Sequence, residues 1–320
     1  MSTLHLVDPE VAPMIDMFPL RDMTLENIAE VRGELMTLSQ DDTELLIEPK
    51  IVHAIGRDGA PDVPLYVYNP PSQNRSRAAI LHIHGGGMIL GTAEMSKMSM
   101  PEMALAHDAV AVSVDYRLAP ETPFPGPQED CYAGLAWLFA NAAELGVDPT
   151  RIIVLGESAG GGLAAALAHM VRDRGEYKLA GQVLIYPMID HRTGGPDCLY
   201  KNPTTGEFIW TPSRNQFGWE SLRGDYSLND ERKGWFSPAR AESLAGLPPT
   251  FIMTGSLDLF FDENLDYSRR LCADGVLVEL HVYPGGIHAF NLAAEARIAA
   301  QSGRDMMAAV AQMIRSDANP

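Results

Sequence analysis

Cysteine is scarce in this 320-residue sequence, which contains only Cys131, Cys198 and Cys272. Their odd number and long spacings match neither a disulfide framework nor the ligand pattern of a zinc site. We therefore expect a reducing compartment, the cytoplasm, and no bound metal ion.

Basic residues are also few, since 24 lysines and arginines stand against 42 aspartates and glutamates, for a formal net charge of −18. This balance argues against a nucleic-acid partner, which would need a basic face. It argues equally against docking on an anionic membrane surface. We expect neither partner, and the acidity serves mainly to keep the chain soluble.

Long hydrophobic runs are absent as well. Although 46% of the residues are hydrophobic, no run of about 18 apolar residues occurs, so no transmembrane helix is expected. The opening residues, MSTLHLVDPEVAPMIDMFP, lack a basic region followed by an apolar core, so we expect no signal peptide. The apolar residues are instead enough to build a large buried core.

Short apolar segments alternate with helical patterns along most of the chain. EPKIVHAI and DVPLYVYNP have period-two patterns separated by turn residues, which predicts an antiparallel pair of strands. Later apolar segments, among them AAILHIH, RIIVLG and QVLIYPMI, are separated by helical stretches. This order predicts an α/β fold with a mainly parallel, eight-stranded sheet flanked by helices on both faces.

Two regions do not follow this alternation. Residues 1–45 have helical patterns without strand partners, and residues 191–235 form an insertion rich in glycine, proline and aromatic residues. We expect the two regions to form one helical cap over the carboxyl ends of the strands, where such sheets place their sites. The catalytic core then consists of residues 46–190 and 236–320.

A G-x-S-x-G motif centred on Ser158 lies between the strand RIIVLG and an alanine-rich helix. A serine in such a turn has a strained backbone, and side chains two positions away on either side would collide, which explains Gly156 and Gly160. The helix directs its positive end at the hydroxyl group, where negative charge develops during acyl transfer. The alternative is an N-cap serine beside packing glycines. The flanking strand and helix favour a nucleophile.

Three glycines, Gly85 to Gly87, follow His84 directly after an upstream strand. Without a Cβ, such a loop can aim backbone N–H groups at an oxyanion, and one donor of this kind is worth about 2.7–4 kcal/mol. Ala159, which follows the nucleophile, is expected to supply a further N–H. The spacing matches neither dinucleotide-binding nor P-loop motifs, which disfavours a phosphate site. We expect His84 to hold the loop by hydrogen bonds.

A serine nucleophile needs a base, and the base needs a group that orients it. His288 lies in the turn after the strand LVELHVYP, and Asp258 follows the preceding strand TFIMTGS. The resulting chain order of serine, aspartate and histidine is that of enzymes with this strand-to-helix serine turn. We therefore predict Ser158, Asp258 and His288 as a catalytic triad.

Other candidates for the acid and the base are weaker. His281 lies inside a strand, which indicates a structural role, and His191 precedes any plausible acid. Asp262 and Glu263 lie one turn beyond Asp258, where acids commonly stabilise a helix N-terminus.

Several linked motifs occur in one order: HGGG at residues 84–87, DYRLAPE at 115–121, GESAGG at 156–161 and HAF at 288–290. With these motifs, the chain resembles the hormone-sensitive-lipase-like family of esterases over roughly residues 45–315. The resemblance implies an α/β-hydrolase core with a helical cap and hydrolysis of short- to medium-chain carboxylic esters without a cofactor. It also implies that Gly86, Gly87 and Ala159 donate the oxyanion N–H groups. Two departures are Glu157, where aspartate is common, and the lack of a proline after Asp258.

The walls of the substrate pocket are expected from apolar residues near the glycine loop and in the presumed cap, namely Met88, Ile89, Phe18, Phe208 and Trp210. For any single one of these residues, packing of the cap on the core is the favoured interpretation. An edge strand or the last helix could form a homodimer. The alternatives in function are a binding protein on a hydrolase scaffold, an amidase or peptidase with the same triad, and a dehydratase-like relative.

Overall fold

The computed structural model describes residues 2–18, 21–38 and 45–315, apart from the side chains of residues 36–38. Residues 1, 19–20 and 39–44 of the predicted cap region and residues 316–320 of the predicted core lie outside this description. The remainder includes every candidate site residue named above.

Eight strands form one sheet. They are β1 (Lys50–Ala54), β2 (Val63–Tyr68), β3 (Arg77–Ile83), β4 (Val110–Val114), β5 (Val147–Glu157), β6 (Gly181–Ile185), β7 (Thr250–Gly255) and β8 (Val278–Tyr283). Their order is β1-β2-β4-β3-β5-β6-β7-β8. Only the pairs β1–β2 and β2–β4 are antiparallel, and all others are parallel. The predicted mainly parallel, eight-stranded α/β sheet is therefore confirmed.

Helices precede the sheet, connect most of its strands and follow the last one. They are α1 (Ile28–Leu38), α2 (Met100–Ala106), α3 (Gly126–Leu145), α4 (Ala159–Arg174), α5 (Pro212–Arg223), α6 (Lys233–Phe236), α7 (Phe261–Ala273) and α8 (Arg297–Met313). Before α1 the chain forms two 3₁₀ turns, Leu4–Leu6 and Ala12–Met17. None of the helices in the described part of the chain is long and apolar enough to span a lipid bilayer.

The central strands are buried on both faces, as expected for a parallel sheet between helical layers. In β3 every residue is buried, and the side chains alternate between two apolar clusters. Leu81 and Ile83 pack with residues of α3 and α4, whereas Ile80 packs on the opposite face with residues of α2 and α8. The period-two alternation of a strand thus places one core on each side of the sheet.

The N-terminal residues contact the long insertion between β6 and β7. The Thr3 N–H and hydroxyl both donate to a Glu207 carboxylate oxygen at 2.6 Å. The Ser213 hydroxyl at the start of α5 donates to Asp22 at 2.7 Å. In α1, Arg32 donates to the carbonyl of Ile89 at 2.8 Å, which ties the N-terminal region to the glycine-rich loop after β3.

A buried carboxyl group joins α7 to the beginning of the insertion. Glu263 is 1% exposed and accepts hydrogen bonds from the N–H groups of Ile189 (2.7 Å) and Asp190 (3.2 Å). Burial, and then the nearby Asp190 carboxylate, raises the pKa of Glu263 well above its usual value. The sequence suggests only a helix N-terminal acid at this position, whereas the structure makes it an internal support of the loop after β6.

We expect Glu263→Gln to increase thermal stability more at pH 8 than at pH 5. A carboxyl group with a raised folded-state pKa keeps its proton where the unfolded chain has lost it, so its cost to stability begins near pH 4.3 and grows as pH rises. Glutamine keeps an oxygen acceptor for the Ile189 N–H but cannot ionise. Thermal unfolding at both pH values tests this, with Asp262→Asn in the same helical turn as the control. Equal shifts in Tm at the two pH values would contradict it.

Candidate active site

The turn between β5 and α4 places Ser158 at the carboxyl end of the sheet. Ser158 has φ 54° and ψ −119°, a conformation that costs about 1–3 kcal/mol for a residue with a side chain. A Cβ on Gly156 would lie 2.2 Å from the Gly160 carbonyl oxygen, and one on Gly160 would lie 2.0 Å from that of Ile83. Both glycines are therefore required by the close approach of β3, β5 and α4.

Two main-chain hydrogen bonds hold this turn against the end of β6 and the loop that follows it. The Ser158 N–H donates to the Ile185 carbonyl at the end of β6 at 2.8 Å. The Ser158 carbonyl accepts from the Met188 N–H at 2.9 Å. Because both main-chain groups are bonded, the strained conformation of the serine is fixed by its surroundings.

A chain of hydrogen bonds runs from Ser158 through His288 to Asp258. The serine Oγ lies 2.9 Å from His288 Nε2, and His288 Nδ1 lies 2.8 Å from Asp258 Oδ2. Asp258 is fully buried, and its Oδ1 accepts the Phe260 N–H at 2.9 Å. An Nδ1–H that donates to the carboxylate leaves Nε2 as an acceptor for the serine proton.

The sheet topology explains why three residues so distant in sequence meet. Ser158 follows β5, Asp258 follows β7 and His288 follows β8, and these strands are parallel. The carboxyl ends of parallel strands lie at one edge, where connecting loops bring their side chains together. The structure thus brings together the three residues that the sequence predicts as a triad.

The glycine loop after β3 runs beside the serine. A Cβ on Gly85 would lie 3.5 Å from the Cβ of Ser158. Gly86 has φ 115°, and a Cβ there would lie 2.2 Å from the carbonyl oxygen of Leu90. Gly87 also has positive φ, at 63°. Ala159 begins α4, so its N–H has no acceptor within the helix.

His84 and Tyr116 hold this loop in place by hydrogen bonds and by stacking of their rings. His84 Nδ1 donates to the Gly85 carbonyl at 2.8 Å, and the Tyr116 hydroxyl donates to the His84 carbonyl at 3.0 Å. The two rings stack with centroids 4.2 Å apart. Burial lowers the pKa of His84 to about 3, so the imidazole is neutral and does not titrate near pH 7. The hydrogen-bonding role expected for His84 is present.

Three aromatic rings surround the His288 imidazole. Their centroids lie 4.8 Å (Tyr186), 5.3 Å (Phe260) and 6.3 Å (Trp210) from that of the imidazole. Burial, and then the Glu157 and Asp258 carboxylates, raises the pKa of Tyr186 well above its usual value, so its hydroxyl remains protonated. The sequence analysis did not predict these roles for Tyr186, which directly follows β6, or for Phe260, which lies two residues after Asp258.

The five predicted pocket residues do not form a single group. Met88, Ile89 and Trp210 pack in one apolar cluster together with Ala159. Phe208 and the half-buried Phe18 instead belong to the apolar cluster on one face of the sheet. Among these five side chains, Trp210 has its ring next to that of His288, with centroids 6.3 Å apart.

A second pair of titratable residues lies beneath the serine turn. His82 Nε2 lies 3.0 Å from a Glu157 carboxylate oxygen, and His82 Nδ1 lies 2.8 Å from the Ser113 hydroxyl. These side chains link β5, β3 and β4 immediately before Ser158. Glu157, a departure from the resembled family, thus has a defined partner within the sheet. The apolar pattern of β3 in the sequence does not predict that His82 pairs with Glu157.

The lower-ranked histidines lie outside the Ser158 hydrogen-bond chain. His281 Nε2 lies 2.7 Å from Glu279 on the exposed edge strand β8. The His191 ring packs 5.6 Å from that of Phe236. Across residues 2–18, 21–38 and 45–315, no group of three histidine, cysteine or acidic side chains is arranged to hold a metal ion.

Comparison with known proteins agrees with this geometry. A family profile described as the α/β hydrolase fold matches residues 80–292. The chain is 35% identical over 306 residues to carboxylesterase NlhH of Mycobacterium tuberculosis, an alignment that covers 94% of this chain and 95% of that protein. It is 31% identical to esterase LipI of the same species, with 89% and 88% covered.

Solved structures agree as well. A bacterial heroin esterase superimposes with a TM-score of 0.88 at 34% identity, covering 98% of this chain and all of that one. Esterase LipW of Mycobacterium marinum gives a TM-score of 0.85 at 28% identity, with 97% and 96% covered. The serine turn, the glycine loop and these similarities together show that the chain belongs to the α/β-hydrolase family, in its hormone-sensitive-lipase-like branch of esterases.

Proposed function

We propose that this protein is a serine carboxylesterase in which Ser158 is the nucleophile, His288 the base and Asp258 the residue that orients the base. The observation that carries this proposal is the buried hydrogen-bond chain joining these three side chains, with distances of 2.9 and 2.8 Å. The esterase relatives support carboxylic esters of small molecules as the substrate class.

The first step is attack of Ser158 Oγ on the ester carbonyl carbon. Neutral His288 accepts the hydroxyl proton at Nε2 as the new C–O bond forms, and the imidazolium is stabilised by Asp258. Because Asp258 is fully buried and also accepts the Phe260 N–H, its carboxylate stays in one orientation. The imidazole therefore starts from the geometry that the proton transfer needs.

The carbonyl oxygen becomes an oxyanion during this attack. In our proposal it is bound by the N–H groups of Gly86, Gly87 and Ala159. The support for this assignment is that Gly85 packs beside Ser158 and that Ala159 opens α4 with a free helical N–H. Donors held in advance by the folded loop stabilise the developing charge without reorganisation.

Collapse of this intermediate breaks the bond to the alcohol. His288 donates its proton from Nε2 to the departing alkoxide, which leaves an acyl group on Ser158. A water molecule then attacks the acyl carbon while His288 removes its proton at Nε2. The bond between the acyl carbon and Ser158 Oγ breaks as His288 returns that proton to the serine, which releases the carboxylic acid and restores the free enzyme. The chain's own side chains supply every proton transfer in this cycle, so no cofactor is required.

The substrate pocket and the cap are part of the same proposal. We assign Met88, Ile89, Phe18, Phe208 and Trp210 to its walls, and we expect esters with short to medium acyl chains. We also propose that residues 1–45 and 191–235 form the cap on a core of residues 46–190 and 236–320. The hydrogen bonds of Thr3 to Glu207 and of Ser213 to Asp22 support this division.

We also propose that the protein is a homodimer and that it is located in the cytoplasm. Strand β8 ends the sheet, and Leu280 and Val282 on it are exposed, as is Leu277 just before it. An edge strand has unpaired N–H and C=O groups that can pair with a second chain. The free thiols of Cys131, Cys198 and Cys272 support a reducing compartment.

Ser158→Ala should abolish hydrolysis of p-nitrophenyl acetate, with a loss on the order of 10⁶ in kcat, because no other group can form the acyl intermediate. Steady-state assays of wild type, this variant and Ser243→Ala, an exposed serine elsewhere, test the assignment. Activity that survives in Ser158→Ala would refute Ser158 as the nucleophile. Wild-type hydrolysis of p-nitroanilides in place of esters would favour the amidase alternative.

Asp258→Asn should lower kcat by roughly 10⁴ while the fold is kept, because an amide favours the wrong imidazole tautomer. Asp262→Asn, four residues along in the first turn of α7, is the matched control and should retain near wild-type kcat. A larger loss in the Asp262 variant would move the acid assignment to that residue.

Leu280→Lys combined with Val282→Lys should convert the dimer to a monomer, since two charges on β8 would repel their counterparts. Sedimentation velocity measures the change, and Ile51→Lys on the opposite edge strand serves as the control. A wild-type protein that sediments as a monomer would refute the proposed dimer.

A further inference from the structure

We infer that Trp210 limits the length of the acyl group that the site accepts, because its indole ring is held against the glycine loop beside the nucleophile. This inference rests on the serine-esterase function proposed above. It narrows that function by assigning acyl-chain selectivity to one residue of the insertion.

The indole ring packs directly on the backbone of the glycine loop. A Cβ on Gly87 would lie 2.1 Å from Trp210 Cη2 and 2.5 Å from Cζ2, so only a glycine fits beneath the ring. Trp210 is 5% exposed and is therefore almost entirely enclosed by its neighbours. The chain next to the oxyanion donors is thus covered by a large, rigid side chain.

The backbone before Trp210 is strained in a way that fixes its position. The Trp210 N–H donates to the Phe208 carbonyl at 2.7 Å, and Ile209 between them has φ 62°. This combination is the rare γ-turn with positive φ, and it is especially unfavourable for a β-branched residue. Arg214 donates to the Ile209 carbonyl at 2.6 Å and stabilises the turn. Strain of this kind persists where the surrounding structure imposes it, commonly at ligand-binding sites.

The polar edge of the indole is fixed as well. Trp210 Nε1–H donates to Asn215 Oδ1 at 3.1 Å, and Asn215 Nδ2–H donates to the Thr193 carbonyl at 2.7 Å. Asn215 is fully buried, so neither bond competes with solvent. Since the backbone and the Nε1 edge are both held, the ring cannot swing away without breaking these hydrogen bonds.

The position of Trp210 relative to His288 identifies the part of the ester that it meets. The departing alcohol must lie next to His288 Nε2, which protonates it. Tyr186 and Phe260 are nearer to that imidazole, at 4.8 and 5.3 Å, whereas Trp210 is 6.3 Å away and lies on the oxyanion loop. We therefore assign Trp210, which packs on Gly87, to the acyl side of the ester.

An acyl chain that leaves the carbonyl carbon along the glycine loop would meet the ring where it packs on Gly87. Around Trp210 the apolar cluster continues with Met88, Met188 and Leu259. Methionine side chains adapt readily to a neighbouring apolar group. Removal of the indole would therefore open a continuous apolar channel for longer acyl chains.

The test is the ratio of kcat/KM for p-nitrophenyl octanoate to that for p-nitrophenyl acetate. We expect wild type to favour acetate and butyrate, and Trp210→Ala to raise the ratio at least about 10-fold, the range that added methylenes give in apolar pockets. Trp210→Phe, which keeps an aromatic ring, should raise the hexanoate-to-acetate ratio in the same direction by less. If the alanine variant does not fold, the phenylalanine variant alone decides.

Trp137→Ala is the control, since Trp137 is a half-buried tryptophan of α3 that packs on the apolar cluster of α3 and α4 and lies outside the cluster that contains Trp210. Its acyl profile should match wild type within about twofold. In all variants, acetates of methyl, butyl and hexyl alcohol should keep their relative rates.

The outcomes separate the two proposals. Wild type that hydrolyses acetate, with an unchanged acyl profile in both Trp210 variants, would overturn the role of Trp210 and leave the esterase function intact. A change confined to the alcohol series would also overturn it, because Trp210 would then face the leaving group. Absence of ester hydrolysis in a folded wild type would instead refute the function on which this inference rests.

Discussion

The close approach of three backbone segments at Ser158 is the constraint on which the rest of the site depends. Gly156 and Gly160 allow β5 and α4 to approach closely, and Gly160 also lies against the end of β3 at the Ile83 carbonyl. The glycine loop leaves β3 immediately after that point. One set of contacts therefore sets the strained conformation of Ser158 and the position of the loop beside it.

Burial then restricts each polar side chain at the site to the orientation in which it is hydrogen-bonded. Asp258, His288 and Ser158 are nearly removed from solvent, and each is bonded to the next. A buried polar group without a partner is costly, which makes a fully bonded chain the stable state. His84 is also buried but has no charged partner within the described part of the chain. Burial lowers its pKa to about 3, so the imidazole is neutral and supports the loop through its hydrogen bond.

The sequence predicts the parts of this protein that depend on local patterns and chain order. Alternating apolar strands and helices predict the sheet, and Ser158, Asp258 and His288 each follow an identifiable strand. Contacts made by residues far apart in sequence could not be predicted in the same way. The pairing of His82 with Glu157, the burial of Glu263 and the rings of Tyr186 and Phe260 around His288 arise from how strands and loops pack.

The most direct test of the central claim is covalent labelling of the nucleophile. Treatment with a diethyl p-nitrophenyl phosphate probe, followed by peptide mass spectrometry, reports which hydroxyl attacks an activated electrophile. Our account predicts one phosphorylated site, at Ser158, on the strained turn within hydrogen-bond distance of His288. A label on another serine, or a folded protein that takes up no label, would contradict the proposed mechanism.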